Sequence, residues 1–288
     1  MILGGGKSSG RAVPELPEVE TIARGVHAEV VGRTIIGVAV GRPDVLREVG
    51  AAALAKRVKG ARIDRSWRRA KHIVIDLSTG DRLVVQPRFT GALLIGTEET
   101  LPEAELQYST MAFRLDDGRS IHYRDIRRLG TVTLMGEERF EGYFGELGIE
   151  PLSEAFTAEA MWEILRGSGQ AVKKAIMDQY KVVGVGNIYA NEALWRAGID
   201  PSREGRTVTE EEAAVLRDEI VSVLTEAIEQ RGSSFRDYRD SSGESGKYVS
   251  FLAAYGRGGL PCKRCGAKLV ETHAVDGRQT VLCVWCQR

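Results

Sequence analysis

The sequence predicts an α+β fold built from a β-rich first half, a helical second half and a small C-terminal hairpin. Three observations lead to this prediction. Short segments rich in β-branched residues, divided by turn signals, fill residues 34–136. Helical periodicity follows further along the chain, and all four cysteines lie within the last 27 residues. A chain of 288 residues, 43% of them hydrophobic, is long enough for two domains with separate cores.

The first predicted element is a helix over residues 17–32. Pro17 suits a first helical turn, and acidic side chains at the same end favour the helix dipole, which explains Glu18 and Glu20. Apolar residues recur at spacings of three and four, so one face is expected to be buried: Val19, Ile22, Val26 and Val30.

Six segments between residues 34 and 136 are typical of β-strands. In chain order they read TIIGVAV, HIVIDL, RLVVQ, MAFRL, SIHY and TVTLM. Turn signals such as STGD and LDDGRS separate them. Many short strands of this kind predict a sandwich or barrel-like β domain opened by one helix.

The second half is predicted to be helical. Its clearest helix covers residues 209–231, at whose start Thr209 and Glu212 are spaced as a capping box. The Gly/Ser-rich stretch that follows, at 232–247, predicts a loop. The apolar face of that helix holds Leu216, Ile220, Val223 and Ala227. The predicted parts are an extension at 1–13, a β-sandwich domain at 14–142, a linker at 143–153, a helical domain with the loop at 154–247, and a ribbon at 248–288.

The overall charge neither favours nor excludes a nucleic-acid partner. Basic and acidic residues number 40 each, and the loss of residues 1–13, with Lys7 and Arg11, would leave a net charge of −2. Binding depends on where basic residues lie rather than on their sum. No apolar run approaches the roughly 18 residues of a membrane span, and the start lacks the apolar core of a secretory signal. We therefore expect no membrane partner and a cytoplasmic location.

The four cysteines predict one structural Zn²⁺ ion. Cys262 and Cys265 form one C-x-x-C pair, Cys283 and Cys286 form a second, and 17 residues separate the pairs. Two such turns can place four thiolates tetrahedrally around zinc. Two disulfides or a redox pair are the alternatives, but nothing indicates export and a redox pair needs no second motif. Basic residues around the ribbon suit phosphate contact, although a solvated charged surface would have the same composition.

Four motifs occur in one order along the chain. They are PELPEVE from Pro14, RRAK at 68–71, VVGVGNIYANEALW at 182–195 and the four-cysteine ribbon. Together they resemble the bacterial formamidopyrimidine-DNA glycosylase family, from Pro14 to the C-terminus. The resemblance implies an N-terminal helix with a β-sandwich, a helix–two-turn–helix domain and a zinc ribbon. It also implies a monomeric, nucleoid-associated glycosylase and abasic-site lyase that removes 8-oxoguanine and formamidopyrimidines from damaged duplex DNA.

The resemblance assigns roles to individual residues. Pro14 is expected to attack C1′ of the flipped-out nucleotide through a free amine, and the resulting iminium leads to β- and δ-elimination. Glu15 is expected to act as general acid/base at the deoxyribose. Lys71 is counted with Pro14 and Glu15 among the catalytic residues. Together with Asn187 and Arg278, it is expected to hold the phosphates that flank the damaged nucleotide.

Three further residues match the family's void-filling positions with exchanged sizes. The family fills the gap left by the flipped base with methionine, arginine and phenylalanine, and this chain has Phe89, Arg127 and Leu129 there. An apolar wedge remains in both segments, so base flipping is expected while the opposite-base preference stays open. The loop at 232–247 matches the family's cap over the everted base. Its length favours oxidised purines over the pyrimidine lesions of endonuclease VIII-type enzymes.

Pro14 raises a chemical problem because it stands in mid-chain. A proline preceded by another residue is a tertiary amide whose nitrogen lone pair cannot attack. Three interpretations are open: translation starts at Val13 through a GTG codon and loss of the initiator methionine frees Pro14; proteolysis frees it; or the chain is a non-catalytic damage-binding protein. The first is favoured because Glu15 stands intact beside Pro14.

Overall fold

The computed structural model describes residues 13–233 and 244–288. The predicted extension, apart from Val13, and the middle of the predicted cap therefore lie outside the described residues. Helix α1 (Leu16–Val30) confirms the first predicted helix. Its apolar face is buried as the spacing predicts, at Val19, Ile22, Val26 and Val30.

The β-rich half is a sandwich, as predicted. Its strands in the described residues are β1 (Ile35–Val40), β2 (Leu46–Arg47), β3 (Ile63–Arg69), β4 (His72–Leu77), β5 (Arg82–Gln86), β6 (Gly91–Gly96), β7 (Ser109–Leu115), β8 (Ser120–Asp125) and β9 (Thr131–Met135). One sheet has the order β1-β7-β8-β6 and the other β2-β9-β5-β4-β3. The pair β2–β9 is parallel and the other neighbours are antiparallel. Two helices, α2 (Ala51–Val58) and α3 (Glu103–Leu106), lie in the connections.

The sandwich has apolar contacts on both faces of its five-stranded sheet. The main core joins both sheets to α1, and its members include Ile73, Val85 and Phe113. Helix α4 (Glu137–Gly145) covers the opposite face through Phe140 and Phe144. This second layer explains why Ile73, Val74 and Ile75 of β4 are buried in succession rather than alternately.

The second half of the chain is helical, as predicted. Its helices in the described residues are α5 (Ala158–Arg166), α6 (Val172–Ile176), α7 (Asn187–Ala197) and α8 (Glu210–Glu229). The predicted capping box forms at the start of α8: the Thr209 hydroxyl accepts from the Glu212 amide at 3.2 Å, and the Glu212 carboxylate accepts from the Thr209 amide at 2.9 Å. The predicted apolar face of α8 is buried in a separate helical core.

Leu16, at the start of α1, packs in the helical core rather than in the sandwich core. The N-terminal segment thus contacts both halves of the molecule. The domain boundaries stay predictions, although α4 extends into the predicted linker as far as Gly145.

The C-terminal ribbon contains the hairpin of β10 (Val270–Thr272) and β11 (Thr280–Leu282). A small core of Cys262, Leu269, Val281 and Cys283 lies beneath it. A core of this size cannot stabilise a ribbon without further support. Among the helices of the described residues, none is both long and apolar enough to cross a membrane.

Candidate active site and nucleic-acid interface

The N-terminal segment docks on the turn that precedes α7. Pro14 is buried, and the amide of Leu16 donates to the Gly184 carbonyl at 3.0 Å. The Glu15 carboxylate accepts from the amides of Gly186 and Ile188, both at 2.9 Å. Residues about 170 positions apart in the chain therefore meet at the N-terminus of a helix, where the dipole favours a negative charge.

Two glycines make this docking sterically possible. Gly184 has a φ of +79° and packs on Leu16, where a Cβ would come 2.7 Å from side-chain carbon. A Cβ at Gly186 would overlap the Glu15 carboxylate. The GVG sequence thus serves both the turn itself and the close approach of the N-terminal segment.

Glu15 can exchange a proton near neutral pH. Its side chain is 3% exposed, and burial raises the pKa of the carboxyl from 4.5 to about 7. The nearby Lys71 ammonium and the backbone amides of α7 act in the opposite direction, and the Glu18 carboxylate adds to the increase. A group whose pKa lies near the working pH is suited to general acid/base catalysis.

Lys71 reaches the same turn from the β3–β4 hairpin. Its Nζ donates to the Val185 carbonyl at 3.0 Å, and Ala70 before it has a φ of +53°. Burial lowers the pKa of Lys71, the Glu15 carboxylate raises it, and the Arg278 guanidinium lowers it. The hairpin tip thereby places a cation beside Glu15.

Asn187 and Arg278 lie on the same side of the molecule. Asn187 is the first residue of α7, and its Nδ2 donates to the Gln279 carbonyl at 3.0 Å. Arg278 is exposed on the ribbon, adjacent to Gln279 and close enough to influence the pKa of Lys71. The structure thus brings Pro14, Glu15, Lys71, Asn187 and Arg278 together.

The three predicted void-filling residues form a second group on two loops of the sandwich. Phe89 lies between β5 and β6, whereas Arg127 and Leu129 lie between β8 and β9. The Arg127 guanidinium carbon lies 4.7 Å from the centroid of the Phe89 ring, and Leu129 is 40% exposed. Both loops contain an arginine with left-handed φ, Arg88 at 50° and Arg128 at 52°.

Sequence reasoning missed a buried acidic residue close to Pro14 and Glu15. Glu18, attributed above to the helix dipole, is 1% exposed. Its carboxylate accepts from the Tyr189 hydroxyl at 2.5 Å, the Ser233 amide at 2.6 Å and the Glu15 amide at 2.8 Å. Glu18 therefore connects Glu15 to Ser233, which lies at the edge of the predicted cap. The only sequence signal for this role was the spacing of three residues between Glu15 and Glu18. The helix dipole alone also accounts for an acidic residue in the first turn, so the spacing did not distinguish the two explanations.

Lys173 was also missed. Its side chain is fully buried, and its Nζ donates to the Thr280 hydroxyl at 2.7 Å and the Gln279 carbonyl at 3.1 Å, with the Asp276 carboxylate at 3.3 Å. This lysine fastens α6 to the hairpin that carries Arg278. A lysine in a short helix offers no sequence signal for such burial, because its partners lie about 100 residues away.

The four cysteines converge as their spacing predicts. Their sulfur atoms all lie within 4.8 Å of one another, and none forms a disulfide. Tetrahedral zinc with Zn–S bonds of about 2.3 Å would hold its thiolates about 3.8 Å apart. The donor set and its dimensions therefore fit a zinc ion and argue against the two-disulfide alternative.

Comparisons with known proteins agree with this arrangement. The model of the formamidopyrimidine-DNA glycosylase N-terminal domain matches residues 13–132, and that of the formamidopyrimidine-DNA glycosylase H2TH domain matches residues 147–239. The formamidopyrimidine-DNA glycosylase of Pelotomaculum thermopropionicum is 38% identical, covering 96% of this chain and 99% of that protein. The enzyme of Xanthomonas campestris is 40% identical, with coverages of 96% and 100%.

Solved structures show the same relationship. The MutM (Fpg) protein of Thermus thermophilus superposes with a TM-score of 0.83 at 37% identity, covering 95% of this chain and 98% of that one. The Lactococcus lactis Fpg in complex with DNA containing an abasic site gives 0.87 at 32% identity, covering 95% and 99%. The resemblance predicted from four motifs is thus confirmed over nearly the whole chain, and the protein belongs to the formamidopyrimidine-DNA glycosylase family.

Proposed function

We propose that this chain excises oxidised purines, 8-oxoguanine and formamidopyrimidines, from duplex DNA and then cleaves the abasic strand. The observation that carries the proposal is Glu15, a buried carboxylate with a pKa of about 7 directly after Pro14 and beside Lys71. Relatives named formamidopyrimidine-DNA glycosylase and a neighbour bound to Fapy-dG-containing DNA support this substrate class.

The chemistry requires Pro14 as a free secondary amine. Its nitrogen forms a bond to C1′ as the bond from C1′ to the base breaks, and the base departs with the electron pair and takes up a proton. The nitrogen then loses its own proton, the C1′–O4′ bond of the sugar ring opens, and O4′ is protonated as the C1′–N double bond forms. The resulting iminium acidifies the C2′ proton, so β-elimination releases the 3′ phosphate oxygen and δ-elimination the 5′ one. Glu15 moves protons at the deoxyribose during these steps, since it can be protonated or ionised near neutral pH.

DNA is held by charge and by the helix terminus. Lys71, Asn187 and Arg278 contact the phosphates on either side of the flipped nucleotide. Phe89, Arg127 and Leu129 enter the gap that the base leaves in the duplex. The family resemblance assigns the covering of the everted base to residues 232–247, of which 234–243 lie outside the described residues. Binding depends on where the basic residues lie rather than on their sum, so a chain with no net charge can still bind DNA.

The four cysteines, Cys262, Cys265, Cys283 and Cys286, hold one structural Zn²⁺ ion. The ion contributes folding free energy to the ribbon, and the ribbon's own residues then present Arg278 to the DNA. We further infer a monomer that works in the bacterial cytoplasm on nucleoid DNA, as expected for the family.

We infer that Pro14 becomes the N-terminus because translation starts at Val13 and the initiator methionine is removed. The family model begins to match at residue 13. The alignments with two curated relatives include 99–100% of each relative but only 96% of this chain. About 4% of this chain therefore has no counterpart in those relatives.

Borohydride trapping on an 8-oxoguanine duplex tests the proposal. A chain that begins at Pro14 is expected to form a permanent cross-link, because only an iminium is reduced to a stable amine. The matched control is the full 288-residue chain, which should bind the duplex without a cross-link. Binding by both chains with trapping by neither would identify a non-catalytic damage-binding protein. Excision confined to oxidised pyrimidines would contradict the substrate class.

A further inference from the structure

The two loops that carry the void-filling residues meet over one buried polar group. We call Thr90, Tyr123 and Asp125 the loop cluster. Their exposed fractions are 3%, 0% and 2%. Thr90 follows Phe89 directly, and Asp125 ends β8 just before Arg127. The cluster therefore lies at the base of both loops.

Asp125 accepts hydrogen bonds from both sides of the cluster. One carboxylate oxygen accepts from the Thr90 hydroxyl and, at 3.3 Å, from the Arg127 amide. The other accepts from the Gly130 amide at 2.9 Å and the Tyr123 hydroxyl at 3.4 Å. A buried carboxylate is costly unless such donors surround it. The carboxylate thus binds the amides of Arg127 and Gly130, which lie on either side of Arg128 and Leu129.

Thr90 completes the connection between the loops. Its hydroxyl oxygen accepts from the Arg127 amide at 3.0 Å while its hydrogen is directed to Asp125. The Arg124 guanidinium also donates to the Thr90 carbonyl at 2.9 Å. The loop after β5 and the loop after β8 are therefore joined by side-chain and backbone bonds, not only by the contact between Arg127 and Phe89.

Close packing leaves the cluster little freedom to move. Gly91 pairs with Asp125 across β6 and β8. A Cβ at Gly91 would lie 2.8 Å from the Tyr123 hydroxyl, and one at Gly130 would overlap it. Arg128, with a left-handed φ of 52°, lies between the two amides that Asp125 binds, and such a strained conformation persists only where the surrounding contacts hold it.

We propose that Asp125 is a positioning residue that, through Thr90, joins the two loops into a single rigid wedge for the base stack. Phe89 then enters the duplex in fixed register with Arg127 and Leu129. This inference rests on the proposed function, because it concerns how the same site opens duplex DNA.

The test compares duplex and single-stranded substrates with chains that begin at Pro14. Asp125→Asn places an amide donor against the existing donors, and Thr90→Val removes the bridging hydroxyl at nearly constant shape. Asp117→Asn, in the exposed turn at the opposite end of β8, is the matched control. Three quantities are measured: single-turnover excision of 8-oxoguanine from duplex, fluorescence of 2-aminopurine beside the lesion, and borohydride trapping on single-stranded abasic DNA.

Both loop-cluster variants are expected to slow duplex excision by about tenfold to a hundredfold, because small displacements of positioning groups have effects of this size. The change in 2-aminopurine fluorescence, which reports opening of the base stack, should fall together with the rate of duplex excision. Trapping on single-stranded abasic DNA should stay at the level of the control, because that substrate has no stack to open. The double variant should be no slower than the slower single variant, since both remove one shared bond.

Unchanged duplex excision in Asp125→Asn and Thr90→Val would overturn the inference. An equal loss on duplex and single-stranded substrates would also overturn it, because it would show a merely structural role. If the unmodified chain neither excised 8-oxoguanine from duplex nor was trapped on single-stranded abasic DNA, the proposed function itself would be contradicted.

Discussion

At the scale of single residues, Glu15 shows how position changes chemistry. An acidic residue at a helix start is ordinary in sequence, and its side chain would be expected in water. Here the segment docks on the turn before α7, and burial raises the pKa of the carboxyl to about 7. The tertiary contact therefore gives a helix-capping residue a pKa that suits the proton transfer proposed for it.

The pH dependence of stability checks this conclusion. Because the pKa of Glu15 is higher in the folded protein than its ordinary value of 4.5, the folded chain binds a proton that the unfolded chain releases between these values. Its contribution to stability is full below pH 4.5 and falls by about 3 kcal/mol as the pH rises through 7.

Glu15→Gln should remove this fall. Urea unfolding of both chains between pH 4.5 and 8 measures the difference in the free energy of unfolding. Glu29→Gln, near the far end of the same helix and half-exposed, serves as the control. A difference between wild type and Glu15→Gln that is independent of pH would contradict the raised pKa.

Arg278 allows a second prediction at this scale. It is exposed on the ribbon and is proposed to neutralise one phosphate. Arg278→Ala should weaken binding to all duplex sequences alike and reduce the slope of log K against log salt by about 1. Fluorescence anisotropy at several salt concentrations measures that slope. Arg62→Ala, an exposed arginine on the sandwich, should leave it unchanged.

At the scale of elements, the β3–β4 hairpin delivers Lys71 to a turn of the other half of the molecule. Glu150 holds the tip of this hairpin in place. Its carboxylate accepts from the Ala70 amide at 2.7 Å and pairs with Arg68 at 2.7 Å and Arg69 at 3.0 Å. Burial alone would raise the pKa of Glu150, but these partners hold it below its ordinary value.

Glu150→Gln should therefore affect both stability and activity. Arg69 would lose its counter-charge and Arg68 would keep only Glu20, at 2.9 Å, so we expect a loss of about 2 kcal/mol in the free energy of unfolding. Phosphate binding through Lys71 should weaken, visible as a higher KM with a smaller change in kcat. Glu154→Gln, in the same connection, is the control. An unchanged KM would show that the hairpin tip holds Lys71 without Glu150.

At the scale of the whole molecule, the N-terminal segment and the ribbon join parts that have separate cores. Leu16 belongs to the helical core, although Val19, Ile22, Val26 and Val30 of the same helix belong to the sandwich core. Lys173 fastens the ribbon to α6, and Glu192 accepts from the amides of Ala253, Ala254 and Tyr255 at 2.7–2.9 Å. The proposed site lies where these parts meet, so it depends on all of them.

Zinc removal tests that dependence. A strong chelator or Cys283→Ser should release the ion, unfold the ribbon and abolish duplex binding, while the sandwich and helical cores stay folded. Mass spectrometry under native conditions should detect one Zn²⁺ in the untreated chain, and circular dichroism should report little lost helix. Full DNA affinity after verified loss of the ion would contradict the role of the ribbon.

The sequence by itself determined the α+β class, the order of the parts, the first helix, the α8 capping box and the cysteine set. These features depend on local periodicity, capping and spacing, which act over a few residues. Only the tertiary structure decided the burial of Glu15 and Glu18, the salt link from Lys173 to the ribbon and the loop cluster around Asp125. Each of them has, besides local partners, at least one partner that lies from about 35 to more than 200 residues away in the chain. The free energy of burial that shifts a pKa or selects a rotamer arises only when distant segments together exclude water.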